Sequence, residues 1–378
     1  MKNTILYCFL FLGTMASPKL SAQFQENTTP NESFKPGQIW KDDQGKHINA
    51  HGGGILFHEG VYYWYGEHKS EDTSSALVGV TIYASKDLYN WVNRGVALSV
   101  MPEGSGHKLE SGCVIERPKV IYNSQTGKFV MWFHLELKGQ GYKAAEYGVA
   151  QSDTPFGPFQ FLYASRSCAG KWPQNMTESE IQVANSLKNG ESKDLSWAES
   201  VKLGSLIARD LQTGQMSRDM TLFVDDDGSA YHIFSSEENQ TLHIAQLTPD
   251  YLHHTDKYVR ILPGEQNEAP AIFKKDGEYW MISSGCTGWS PNKARLSKAS
   301  SIWGPWESLP NPCIGEGAEK TFYSQSTYIL PLEGTNKQWI FMADRWRPEN
   351  PIDARYIWLP IKFNEGVPYL EWQEEWKR

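Results

Sequence analysis

One phrase recurs along this chain and limits the folds open to it. A turn residue, usually glycine, opens a run of aromatic and β-branched residues. The copies are Gly60-Val61-Tyr62-Tyr63-Trp64-Tyr65, Gly127-Lys128-Phe129-Val130-Met131-Trp132-Phe133, Gly228-Ser229-Ala230-Tyr231-His232-Ile233-Phe234 and Gly277-Glu278-Tyr279-Trp280-Met281-Ile282, with a fifth at Asn336-Lys337-Gln338-Trp339-Ile340-Phe341-Met342. Each reads as a turn followed by a strand. A strand unit repeated in this way stacks on its neighbours, and a radial array does so without leaving long edges. The expectation is an all-β, five-bladed β-propeller of about 70 residues per blade. A two-sheet sandwich is the rival fold.

A second phrase follows some of the copies: a strand, a polar turn, then an aromatic plug. It appears in Ala84-Ser85-Lys86-Asp87-Leu88-Tyr89-Asn90-Trp91, in Ser152-Asp153-Thr154-Pro155-Phe156-Gly157-Pro158-Phe159 and in Ser300-Ser301-Ile302-Trp303-Gly304-Pro305-Trp306. The interval between the second and third copies is the longest. Its excess, around Arg166 to Gln215, carries a helical pattern from Asn175 to Leu187. This predicts one long insertion on a face of the propeller, forming a rim for the site. No Pro/Ser-rich linker divides residues 35–378, which read as one propeller domain after a flexible lead over 23–34.

Residues 1–22 read as a secretory signal peptide: Lys2, an apolar run from Ile5 to Met15, and small residues ending at Ala22. A secreted, periplasmic or extracellular protein with no membrane span is expected. The acidic balance, 44 Asp+Glu against 36 Lys+Arg, argues against a nucleic-acid partner. Cys113, Cys168, Cys286 and Cys313 follow the leader; they read as mostly free, buried thiols, since a large core does not need disulfide staples. A monomer is expected.

Three acids stand where apolar strands begin, one repeat apart. They are Glu116 in Val114-Ile115-Glu116-Arg117-Pro118-Lys119, Asp219 in Ser217-Arg218-Asp219-Met220-Thr221, and Glu268 in Asn267-Glu268-Ala269-Pro270. First strands of propeller blades converge at the hub, so these carboxylates are expected to share a cavity. Carboxylates among Trp and Tyr suit sugar chemistry. Glycoside hydrolysis by inversion needs an acid for the leaving oxygen and a base for water, roughly 6.5–9.5 Å apart. A neighbouring carboxylate keeps the acid protonated near neutrality.

With these residues in hand the chain resembles glycoside hydrolase family 43. The resemblance rests on Asn49-Ala50-His51-Gly52-Gly53-Gly54, Tyr62 to Lys69, Glu116-Arg117-Pro118-Lys119-Val120, Glu268-Ala269-Pro270, Thr287-Gly288-Trp289 and Asp344-Arg345-Trp346, in that order. It is similar above all to the branch with exo-β-1,3-galactanases and arabinogalactan-active relatives. The resemblance implies a five-bladed propeller and an exo-acting, inverting glycosidase. It implies Glu268 as general acid, Asp219 as modulator of its pKa, and Glu116 as a carboxylate binding substrate hydroxyls or activating water. Gln325, in Tyr323-Ser324-Gln325-Ser326, corresponds to a glutamine that assists water. Glu67, His51, Trp289 and Arg345 are expected to line the sugar pocket.

The chain departs from the wider family on the first blade, where the usual base, an Asp, is absent from Asn49-Ala50-His51-Gly52. Water activation is therefore left to Gln325, Glu116 or His51. No cofactor is required; the resemblance implies a structural calcium, and no catalytic metal is expected. The substrate is an oligo- or polysaccharide: β-galactose from β-1,3-galactan first, with an α-L-arabinofuranoside or β-galactofuranoside as alternatives. Two other classes compete, a non-catalytic glycan-binding propeller and a glycan phosphorylase.

Overall fold

The glycines that open four of the repeats, Gly60, Gly127, Gly228 and Gly277, have φ between 69° and 86°. Each sits in the left-handed region, where a β-carbon is disfavoured. Each joins the first two strands of a sheet, so the repeat seen in the sequence is a repeat of hairpins. The computed structural model describes residues 30–188, 194–334 and 338–378. The expected signal peptide lies outside the described residues.

The fold is an all-β propeller. The first sheet runs β1 (His51–His58), β2 (Val61–Glu67), β3 (Gly79–Ser85) and β4 (Val92–Ser99). The second holds β5 (Val114–Asn123), β6 (Lys128–Glu136), β7 (Glu146–Ser152) and β8 (Gln160–Ser165). Three helices follow, α1 (Glu178–Leu187), α2 (Trp197–Lys202) and α3 (Ser205–Asp210). The third sheet is β9 (Met220–Val224), β10 (Ala230–Ser236), β11 (Thr241–Leu247) and β12 (His254–Ile261). The fourth is β13 (Glu268–Lys275), β14 (Glu278–Ser284), β15 (Arg295–Ala299) and β16 (Glu307–Leu309). After β17 (Cys313–Ile314) comes a three-stranded fifth sheet, β18 (Gln325–Leu332), β19 (Gln338–Arg345) and β20 (Arg355–Pro360). A sixth, also three-stranded, joins β17 to β21 (Lys362–Asn364) and β22 (Val367–Glu371).

Six sheets thus stand where the repeat predicts five. The sixth escapes a repeat search because β17 has only 2 residues and pairs in parallel with the distant β22.

The core lies between sheets. Tyr65 and Ile82 of the first pack with Met131 and Phe133 of the second. Trp132 and Tyr147 of the second pack with Met220 and Phe234 of the third. Ile233 and Ile244 of the third meet Ile272 and Met281 of the fourth. Phe273 and Ile282 of the fourth meet Phe341 and Leu359 of the fifth, with Leu370 of the sixth in the same cluster. Trp64 of the first packs on Trp358 of the fifth, ring centroids 4.8 Å apart. The succession therefore returns to its start. Phe34, at the end of the expected lead, is buried and pairs with Trp376 by backbone hydrogen bonds in both directions.

The helical segment differs from its expected role as a rim. Arg260 of β12 donates to the carbonyls of Val201 and Lys202, and Asn175 donates to the Arg260 carbonyl. The segment is thereby held against the outer strand of the third sheet. Cys113, Cys168, Cys286 and Cys313 are free, and Cys113 and Cys313 are buried. Among the described residues no helix is long and apolar enough to cross a membrane.

Candidate active site

Innermost strands β1, β5 and β13 share one irregularity. The antiparallel register breaks between His51 and Gly54, between Glu116 and Lys119, and between Glu268 and Ala271. A left-handed residue sits just after the first position each time: Gly52 (φ 61°), Arg117 (φ 56°) and Ala269 (φ 50°). A bulge of this kind re-aims the neighbouring side chain out of the pleat. In β5 and β13 that side chain is Glu116 and Glu268. The glycines of β1 make room for it: a β-carbon on Gly53 would lie 1.8 Å from the Tyr65 carbonyl oxygen, and one on Gly52 would lie 2.0 Å from Glu67 Oε1.

The three acids share one cavity of about 270 Å³, lined also by Glu67, Gln325 and Trp289. Arg117 ties Asp219 to Gln325 and Glu67. Its Nε and one terminal nitrogen donate to Asp219 Oδ1 and Oδ2 at 3.1 and 2.8 Å, and the same nitrogen donates to Gln325 Oε1 at 2.6 Å. Its backbone N–H donates to Glu67 Oε1 at 2.9 Å. Glu67 Oε2 in turn pairs with Lys69 at 2.5 Å, and both side chains are buried.

The carboxylates do not share one protonation state. Burial, together with the nearby charge of Asp219, raises Glu268 from its ordinary value to about 7. Glu116 goes the other way. Burial alone favours its neutral form, but the hydrogen bond and charge of His134 prevail and lower it to about 2. His134 Nδ1 lies 3.0 Å from Glu116 Oε2, and Tyr142 donates its hydroxyl to Glu116 Oε1 at 2.7 Å. The other imidazole nitrogen meets Glu136 Oε1 at 2.9 Å. Burial disfavours the imidazolium, yet the two carboxylates outweigh it and raise His134 to about 9.

Gln325 has a fixed orientation. Arg117 and Trp346 can only donate, so the atom facing both must be the amide oxygen. Trp346 Nε1 lies 2.8 Å from Oε1, and Gln325 Nε2 donates to Ser284 Oγ at 2.9 Å. Trp289 is 44% exposed and meets Trp346 edge to face, centroids 5.7 Å apart, giving the cavity an aromatic wall.

Two expected site residues lie elsewhere. His51 is fully buried, stacked on Tyr356 at 5.2 Å, with Nδ1 3.8 Å from Asp344 Oδ2. Burial and then Lys69 hold it well below its ordinary pKa, and it does not line the cavity that the three acids share. Arg345 donates to the Phe322 carbonyl and lies over Tyr323 and Trp372, away from the cavity lining. Sequence reasoning in turn gave no role to His134, Tyr142 or Asn239, which also line the cavity. A signal existed for His134: alternation along β6 puts His134 and Glu136 on one face.

Glu116, His134 and Asp219 offer ligand atoms all within 4.8 Å of one another. They do not fit a divalent cation. Both nitrogens of His134 are engaged by carboxylates, and a protonated imidazole has no lone pair to give. Both oxygens of Asp219 already accept from Arg117. The cationic places are taken by side chains, so the structural calcium that the resemblance implies finds no donor set in this cavity.

Comparison with known proteins gives the family. The family model for glycosyl hydrolases family 43 matches residues 54–328. A family 43 β-1,3-galactosidase, solved with galactodeoxynojirimycin, is 56% identical with a TM-score of 0.87 over 91% of this chain and 100% of that one. An exo-β-1,3-galactanase from Clostridium thermocellum is 35% identical, with a TM-score of 0.72 over 91% of this chain and 66% of that one. The exo-β-1,3-galactanase from Phanerochaete chrysosporium, solved with galactose, is 32% identical, with a TM-score of 0.72 over 91% and 67%. No curated protein sequence gives a match. A carboxyl raised to about 7 beside ionised Glu116 suits cleavage of a glycosidic bond, and with the family model matched over 54–328 and a relative 56% identical, the chain belongs to glycosyl hydrolase family 43 and hydrolyses O-glycosyl bonds.

Proposed function

We propose that the protein is a secreted, exo-acting, inverting hydrolase that removes terminal β-galactose from β-1,3-galactan. The observation that carries this reading is Glu268, held up to about 7 by burial and by Asp219 in the cavity it shares with ionised Glu116. The relatives named above act on β-1,3-linked galactose. The cavity is at or below the lower end of ligand pockets, roughly 300–1,000 Å³, which suits one terminal sugar rather than a threaded polymer. We read five of the sheets as blades around the hub, with the sixth buttressing the fourth and fifth, and the helical segment as an insertion between the second and third. The signal peptide over residues 1–22 supports export.

Glu268 gives its proton to the glycosidic oxygen as the bond from that oxygen to C1 breaks. Water adds to C1 from the opposite face and loses a proton to Glu116. Glu116 at about 2 is a weak base. It suffices because water bonding to an oxocarbenium-like centre becomes strongly acidic. Gln325, its oxygen fixed by Arg117 and Trp346, orients that water instead of titrating. The cycle ends with Glu268 ionised and Glu116 protonated, and exchange with solvent restores both. Trp289 offers its face to the sugar.

A panel of aryl glycosides and β-1,3-galactan oligosaccharides, followed by NMR, tests the reading. It expects α-galactose as the first product. β-Galactose as first product, or arabinose released in preference, overturns it. Glycan binding without turnover on any substrate supports the binding-only propeller instead.

A further inference from the structure

The turn between β10 and β11 carries three consecutive non-glycine residues in the left-handed region: Glu237 (φ 52°), Glu238 (φ 57°) and Asn239 (φ 62°). Each such residue is disfavoured by its β-carbon, Asn less than Glu. A run of three persists only where the surroundings over-determine it. The surroundings here are two ion-pair anchors. The buried Glu237 carboxylate accepts from Arg260 Nε at 3.0 Å and from a terminal nitrogen at 2.7 Å, with His243 Nε2 at 3.0 Å. Glu238 lies 3.2 Å from both Arg209 and Arg218.

Both anchors lead back to the helices. Arg260 also donates to the Val201 and Lys202 carbonyls at the end of α2, each at 2.9 Å. Arg209 belongs to α3. At the other end, Asn239 faces the acid: its Nδ2 donates to Glu268 Oε1 at 2.6 Å. Its Oδ1 lies 3.3 Å from Ser235 Oγ, whose hydroxyl also donates to the Asn267 carbonyl at 2.7 Å.

Resting on the reading of Glu268 as the acid, we propose that α2 and α3 are a positioning buttress. Through Arg260 and Arg209 they lock the Glu237–Asn239 turn so that Asn239 pins one oxygen of Glu268 and leaves the other to carry the proton. The helical segment thus serves the reaction without lining the cavity. Arg209, Arg260, Glu237 and Glu238 are positioning residues.

The test compares wild type with Arg209→Ala, Arg209→Lys and Asn239→Gly, with Glu268→Gln in parallel. Two substrates are used: β-1,3-galactobiose, whose leaving group needs protonation, and a β-galactoside with an activated aryl leaving group, which does not. Acid catalysis is worth about 10²–10⁴-fold, and loose positioning forfeits part of it. Arg209→Ala should lower kcat on galactobiose about 10-fold with KM little changed, and lower kcat on the aryl substrate less than about 2-fold. Arg209→Lys should recover most of the loss. Asn239→Gly relieves the strain while deleting the amide, so it should keep its Tm and still show the leaving-group pattern. Losing the Asn239 donor removes support from ionised Glu268, so the alkaline limb of kcat should move to higher pH. Equal losses on both substrates, or an unmoved limb, overturn the buttress. If Glu268→Gln keeps galactobiose turnover, the acid assignment falls and the buttress with it. If Glu268→Gln shows the pattern and the other variants do not, only the buttress falls.

Discussion

Arg117 holds Asp219 by both carboxylate oxygens, at 3.1 and 2.8 Å, across 102 positions of sequence. Asp219 therefore acts on Glu268 through its fixed charge, and Arg117 decides where that charge sits. Arg117 also opposes the effect, since its own charge lowers Glu268.

Asp219→Asn removes a charge that raises Glu268, while the lowering charge of Arg117 stays, opposed now by burial and Glu116. The loss favours ionised Glu268. The general acid works only while protonated, so activity is lost as pH rises through its pKa, about 7 in the wild type. The alkaline limb of kcat/KM should move to lower pH in the variant. An alkaline limb that stays in place or moves up contradicts the modulator role.

Arg117→Lys keeps the charge but cannot form the two-pronged contact. Asp219, Gln325 and the Ser326 carbonyl would lose their shared partner. We expect kcat to fall about 10–100-fold, since small misplacements at a reacting centre have that effect. Stability should fall by about 3 kcal/mol, as when one member of a buried pair is disturbed. Steady-state kinetics and urea unfolding read the two effects separately.

His134 should give a pH-dependent contribution to stability. Its pKa rises on folding from 6.5 to about 9, so its stabilisation is complete below 6.5 and fades as pH rises through about 9. The pKa of Glu116 drops from 4.5 to about 2, so its share is complete above 4.5 and fades as pH falls toward 2. The Tm gap between wild type and His134→Gln should be widest between about 4.5 and 6.5 and should narrow by pH 9.5. A gap that does not change with pH would show that the imidazole packs there uncharged.

Gly53→Ala tests the hub. The added β-carbon would meet the Tyr65 carbonyl oxygen at 1.8 Å, a backbone atom that cannot swing away. Overpacking of this kind costs about 1–3 kcal/mol, and the upper end is expected here. Gly60→Ala gives the comparison: its β-carbon would meet open space, leaving only the cost of φ 79°. Chemical denaturation of both variants ranks the two causes, with Gly53→Ala the more damaging.

Some of this was legible in the sequence because it is local. A glycine at positive φ, a two-residue alternation and an aromatic plug leave marks within ten residues of one another. Gly60, Gly127, Gly228 and Gly277 thus announced the hairpins, and Glu116 and Glu268 could be picked out at the start of equivalent strands. The helical segment was also visible, with Thr177 capping α1 three residues before Glu180. The sixth sheet was not visible, because the pairing of Cys313 with Leu370 is a long-range, two-residue contact.

The sequence by itself determined the strand repeat, the family and which carboxylates to examine. Only the tertiary structure decided that His51 faces the buried hub, that Arg345 serves Phe322, and that His134, Tyr142 and Asn239 enter the cavity. It also decided that Glu268 keeps its proton while Glu116 loses its own. The reason is physical: desolvation and charge depend on distance through space, and the groups that set them are distant in sequence.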